Sequence, residues 1–209
     1  MNNRLIKVEE QINSVTHYFG AVLSLIGTEA LLVQSLKTNN TGYIIGCIVF
    51  CFSLILLYTI SGTYHILIEG DIKKIFRILD HSAIYILIAG SYTPYLLGVF
   101  EGKIKWIFLF IQWGIAILGI FFKINFIGKF NFISTLVYLF MGWMIVFIFE
   151  DLQTFVPVLS FKLLIYGGIS YSIGIIFYLM NNKKFTHGIW HLFVLIGSIF
   201  NYFSIYFLI

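Results

Sequence analysis

Residues 42–66 read GYIIGCIVFCFSLILLYTISGTYHI: twenty-five positions without one Asp, Glu, Lys or Arg. A helix needs about 20 mostly apolar residues to cross the hydrocarbon core of a bilayer. This stretch is long enough, and six more like it stand in the chain. They run over 14–36, 78–99, 104–122, 129–149, 161–180 and 187–208. Polar breaks separate them at Lys37-Thr-Asn-Asn40, Glu69 to Arg77, Glu101 to Lys105, Lys123 to Lys129, Glu150 to Pro157 and Asn181 to Lys184. Several breaks are too short for anything but antiparallel neighbours. The expected fold is an all-α integral membrane protein, a bundle of seven transmembrane helices.

Composition agrees. Of the 209 residues, 60% are hydrophobic and only 11% charged, against about 25% charged in an average soluble domain. A lipid-facing exterior needs no charge. Composition does not shift along the chain, so residues 1–209 read as one domain. No basic run reaches five residues, and a net charge of +4 bears on topology rather than on nucleic acid. Cys47 and Cys51 lie inside the quoted stretch and read as helix-packing residues. Tyr43, Trp106 and Tyr166 stand near span ends as interfacial anchors do, and the abundant Phe is expected to face lipid. The loop from Glu69 to Arg77 reads as solvated.

Lysine and arginine set the orientation. The N-terminus and the second, fourth and sixth breaks carry Arg4, Lys7, Lys73, Lys74, Arg77, Lys123, Lys129, Lys183 and Lys184, nine against the four of the other side, Lys37, Lys103, Lys105 and Lys162. The positive-inside rule puts the N-terminus in the cytoplasm and the C-terminus outside.

On this topology His17, His65, His81, His187 and His191 all fall at the cytoplasmic ends of spans. His187 and His191 are spaced i, i+4, which sets both rings on one helix face with Cβ atoms roughly 5–6 Å apart. Two imidazoles so placed can grip one metal ion, and His65 lies at the depth to add a third. Three protein ligands with an open position make a catalytic type of zinc site. Gly188 follows His187 where a metalloprotease H-E-x-x-H motif has its Glu, so an acid or base must come from elsewhere. Asp80 is the best candidate, since an ionisable group at the edge of a span is costly unless paired or functional. Ser61 stands one turn before His65 on the same face, where its hydroxyl can meet a bound water or a substrate oxygen. Plainer roles compete: Asp80 as a helix N-cap, and Ser61 bonding back to its own helix.

These residues resemble the hemolysin III family, the bacterial branch of the progestin and adipoQ receptors (PAQR), which are related to alkaline ceramidases. Glu9-Glu10, Asn13, Thr16-His17 and Gly20 stand as in its opening motif, and Ser61-Gly-Thr-Tyr-His65 as in its S-x-x-x-H motif. Leu79-Asp80-His81, Ile84-Tyr85 and Ala89-Gly-Ser-Tyr-Thr-Pro94 match the third helix. Gly167-Gly168, Tyr171, Gly174 and Phe177-Tyr178 match the sixth, and His187-Gly-Ile-Trp-His191-Leu-Phe-Val the seventh. The resemblance implies zinc on His65, His187 and His191, a zinc-bound water held by Asp80, and Ser61 beside the site. It also implies a cytoplasmic N-terminus and a bacterial plasma or inner membrane. One departure is Asn201, where the family usually has another histidine.

The function expected from these residues is zinc-dependent hydrolysis of amide- or ester-linked lipids, with membrane lipids as partners. The family name points to another class, membrane-damaging or pore-forming activity. A receptor or sensor with structural zinc is a third.

Overall fold

The computed structural model describes residues 3–180 and 183–209, with side chains from Ile6 onward. The side chain of Arg4 and the Asn181-Asn182 half of the sixth break lie outside the described residues. All secondary structure among the described residues is helical: α1 (Asn3–Leu36), α2 (Thr41–Ile66), α3 (Asp71–Gly98), α4 (Gly102–Phe126), α5 (Asn131–Trp143), a 3-10 turn (Met144–Ile148), α6 (Phe149–Phe155), α7 (Val158–Leu179) and α8 (Thr186–Tyr206). The fifth span is α5, the 3-10 turn and α6 in succession, so the spans number seven.

Six spans are long and apolar enough to cross a membrane by composition alone; α3 is not among them. Its Tyr, Ser, Thr and His residues suit the place it holds, packed against α2, α4, α5 and α8. Small residues bring α2 and α3 together, as they do where helices meet in lipid. A Cβ on Gly46 would lie 2.4 Å from the Pro94 Cα, so only glycine lets these backbones touch. Asn40 caps α2 by accepting from the Tyr43 N–H (3.0 Å), and its amide donates to the Gly98 carbonyl at the end of α3 (2.9 Å). The bundle closes where α1 packs on both α2 and α8.

The structure departs from the sequence expectations at five points. Helix α1 starts at Asn3 rather than 14, and α3 at Asp71 rather than 78. Both carry polar residues that turn into the bundle. The loop read as solvated is therefore mostly the first turns of α3, where Lys73 is buried and ion-paired. Tyr43 is no interfacial anchor: it is fully buried, and its hydroxyl donates to the Ile205 carbonyl (2.5 Å), whereas Trp106 and Tyr166 are exposed. Lys123, counted above with the loop charges, lies inside α4 and is fully buried.

The fifth point is the broken span. Helix α5 ends at Trp143 because a side chain of α3 enters its hydrogen-bond ladder. The Tyr92 hydroxyl donates to the Gly142 carbonyl (2.7 Å) and accepts from the Ile145 N–H (3.0 Å), while Gln112 of α4 donates to the Met141 carbonyl (2.9 Å). Inserted side chains are a known cause of helix breaks, and in lipid the freed backbone groups need such partners. Tyr92→Phe leaves both groups unpaired, at about 1–3 kcal/mol for each buried group left unsatisfied. A fall in thermal stability in detergent, with helical content kept, is the expected result; unchanged stability would show that the break does not depend on Tyr92.

Candidate metal centre

Three elements meet at the end of the bundle where α1 begins. His65 sits in the last turn of α2, and His187 and His191 in the first two turns of α8. Ring centroids lie 5.1 Å (His65–His187), 4.9 Å (His65–His191) and 4.6 Å (His187–His191) apart. One ring nitrogen from each can be chosen so that all three lie within 4.8 Å of one another. The three histidines singled out by spacing and depth are therefore brought together across helices.

Local structure explains the start of α8. Phe185, at φ 60°, precedes the helix without a side-chain cap of its own. Glu9 of α1 supplies one, its carboxylate accepting from the Phe185 N–H (2.8 Å). An acidic group there also suits the positive end of the helix dipole.

The histidines are held from behind by α1. His65 Nδ1 lies 3.3 Å from Glu10 Oε2, and Lys73 Nζ lies 3.1 Å from the same oxygen. His191 Nδ1 is 3.2 Å from the Asn13 carbonyl and 3.3 Å from Thr16 Oγ1. His65 Nε2 is buried without a protein partner. A buried imidazole nitrogen left bare beside two other imidazoles is what a metal-ligand set requires, so these residues fit a metal ion. His17 stacks on His191 (3.5 Å between centroids, 18° between planes) and stays outside the three-histidine set.

The set opens on a cavity of about 770 Å³, within the usual size range of ligand pockets. All five histidines line it, with Asp80 and Ser61. Its walls are largely apolar and aromatic, including Leu57, Ile84, Ile88 and Tyr92, and it reaches to Tyr95, Val194 and Asn201 deep in the bundle. Asn201, the departure noted in the sequence, thus borders the same space, well away from the triad.

Asp80 and Ser61 take neither of their plainer roles among the described residues. Asp80 is not the N-cap of α3, which begins at Asp71 after Gly70. Its nearest ionic neighbour is His81 Nδ1, 3.8 Å from Oδ2, beyond hydrogen-bond range, and that nitrogen donates to the Arg77 carbonyl at 2.9 Å. Ser24, Ser53 and Thr63 bond back to their own helices. Ser61, 1% exposed, makes no such bond among the described residues. The plainer role for each residue is thereby removed.

The roles of Glu10, Asn13, Thr16 and Lys73 around the histidines were not read from the sequence. The signal was present: Glu10, Asn13 and His17 recur at helical spacing, i, i+3 and i+7, on one face of α1.

Fold and site together define a multi-pass membrane protein whose helices enclose a histidine-lined cavity. A family model described as "Haemolysin-III related" matches residues 6–202, and the chain belongs to that family. It is 43% identical to "Hemolysin-3" of Bacillus cereus over 95% of this chain and 91% of that one. It is 41% identical to "Hemolysin-3 homolog" of Bacillus subtilis (strain 168), covering 95% and 93%. At 26% identity it is also similar to the human "Monocyte to macrophage differentiation factor", over 95% of this chain and 83% of the relative. No solved structure matches significantly.

Proposed function

We propose that this protein is a zinc-dependent hydrolase of amide- or ester-linked lipids, with His65, His187 and His191 holding the ion. A zinc ion polarises a carbonyl and makes bound water acidic near neutral pH. The observation that carries the reading is the shared cavity: three convergent imidazoles, an uncommitted Asp80 carboxylate and an uncommitted Ser61 hydroxyl line one largely apolar space. Asp80 takes a proton from the attacking water as the new carbon–oxygen bond forms, and returns it to the leaving nitrogen or oxygen as the scissile bond breaks. Ser61 donates a hydrogen bond to the carbonyl oxygen as negative charge gathers there. The apolar walls receive the acyl chain and exclude bulk water. The excess of Lys and Arg on the histidine side supports a site that works at the cytoplasmic leaflet. The relation of the resembled family to alkaline ceramidases supports the same chemistry.

The test is a lipid panel of amides and esters offered to zinc-loaded and chelated protein in detergent. Release of fatty acid that chelation abolishes and zinc restores is the expected result. No zinc-dependent release from any lipid would sink the hydrolase reading. The name of the Bacillus cereus relative keeps membrane damage as the rival. Dye leakage from liposomes that survives replacement of all three histidines would favour it.

A further inference from the structure

We infer that the polar face of α1 fixes the ring tautomers of the metal-ligand set, with Glu10 as the positioning residue for His65; this rests on the metal reading above. A carboxylate and a backbone carbonyl can only accept. Opposite Glu10 Oε2 at 3.3 Å, His65 Nδ1 therefore carries the proton and donates. Opposite the Asn13 carbonyl at 3.2 Å, His191 Nδ1 does the same. The Thr16 hydroxyl is within reach of two carbonyls, those of Ile12 (3.0 Å) and Asn13 (2.9 Å), to which its own proton can go. It therefore faces the same His191 nitrogen at 3.3 Å as an acceptor. In each ring the lone pair is left on Nε2. For His65 that is the buried nitrogen with no protein partner.

The two clamps come from one helix. Glu10 and Asn13 are three residues apart, so they share a face of α1, and Thr16 continues it. That face is anchored at both sides of the site. Glu9 holds the start of α8 through the Phe185 N–H, and Ser14 Oγ donates to the Gly62 carbonyl of α2 (2.8 Å). His187 has no hydrogen-bond partner among the described residues. Two ligands are thus oriented by α1 and the third by its place on α8.

Lys73 completes the arrangement. Its ammonium lies 3.1 Å from Glu10 Oε2, the same oxygen that faces His65, and 3.3 Å from Glu69 Oε1. A carboxylate that accepts directly from a ligand ring, as Glu10 does, typically contributes about 10–100-fold in metal affinity, whereas Lys73 touches only the carboxylates.

The experiment measures zinc affinity of the detergent-purified full chain by competition with a chromophoric chelator. Removing Glu10 alone would leave the buried Lys73 only its exposed partner Glu69, so the variants are built on Lys73→Met. Lys73→Met by itself keeps the hydrogen bond to His65 and is expected to bind zinc within about threefold of wild type. Adding Glu10→Leu is expected to weaken zinc about 10–100-fold. Adding Glu10→Gln instead should restore most of that loss, because the amide oxygen still accepts from Nδ1–H. The zinc-free proteins should share one melting temperature, which separates positioning from folding. Equal affinity in the Leu and Gln variants would overturn the proposal, as would a Lys73→Met loss as large as the Leu loss. If the wild type itself binds no zinc, the metal reading has failed and the proposal with it.

Discussion

His65→Ala, His187→Ala and His191→Ala are each expected to abolish zinc binding, from about one ion per chain in the wild type. The proposed site has only three protein ligands, whereas structural sites close with four, so each imidazole carries a large share of the affinity. Loss of a partner outside the ligand set costs about 10–100-fold; loss of a ligand itself should exceed that. The helices should survive, because each satisfies its own backbone in lipid. Elemental analysis beside circular dichroism on each variant is the measurement. The same preparations separate a catalytic ion from a structural one. Either kind of ion stabilises the fold by mass action, about 4 kcal/mol when free zinc is a thousandfold above Kd, so the separating readout is zinc-dependent lipid turnover, which is lost only with a catalytic ion. Wild type that is well folded, purified without chelator and free of metal would remove the catalytic reading altogether. A single-histidine variant that kept wild-type zinc would remove that residue from the set.

How far the sequence discloses this arrangement follows from what lipid demands. A bilayer imposes a minimum length and penalises every bare polar group, so the run at 42–66 announces its helix without reference to any neighbour. The i, i+4 pair His187 and His191 is legible for a similar reason, since one helix fixes both rings. His65 is legible only through depth, as the end of its span lies level with the start of α8. Features that need a second helix are hidden. Hydropathy cannot tell Glu10 and Lys73, which point inward and pair with each other, from the solvated charges of a loop, so it starts α1 and α3 too late. The break in the fifth span has no cause within residues 129–149, because its cause is Tyr92 on α3. Tyr43 sits near a helix end like an anchor, yet it is buried against the carbonyl of Ile205. Asp80 and Ser61 were legible as candidates. Their freedom from capping and back-bonding became visible only when the other partners were placed.

Asp80→Asn is expected to lower zinc-dependent lipid turnover by about 10²–10⁴-fold while zinc stays near one ion per chain. Asparagine keeps the size and the hydrogen-bonding reach of the aspartate but cannot accept a proton at neutral pH. Asp80 is mostly buried, lines the cavity and has no hydrogen bond among the described residues, so the amide should fit without strain. Ser61→Ala removes a donor rather than a base, and its expected loss is about 10²–10³-fold. Both effects should fall on kcat more than on KM, since each group acts when charge or a proton moves and not when the acyl chain enters. The two variants also probe the division of labour within the cavity. The triad variants should lose metal and turnover together; these two should lose turnover alone. If Asp80→Asn loses its zinc as the histidine variants do, Asp80 belongs with the ligands and the base must be sought elsewhere along the cavity. If it turns over lipid at the wild-type rate, proton transfer does not run through Asp80. His17, stacked on His191 with both nitrogens buried and unpartnered, is then the next group to replace.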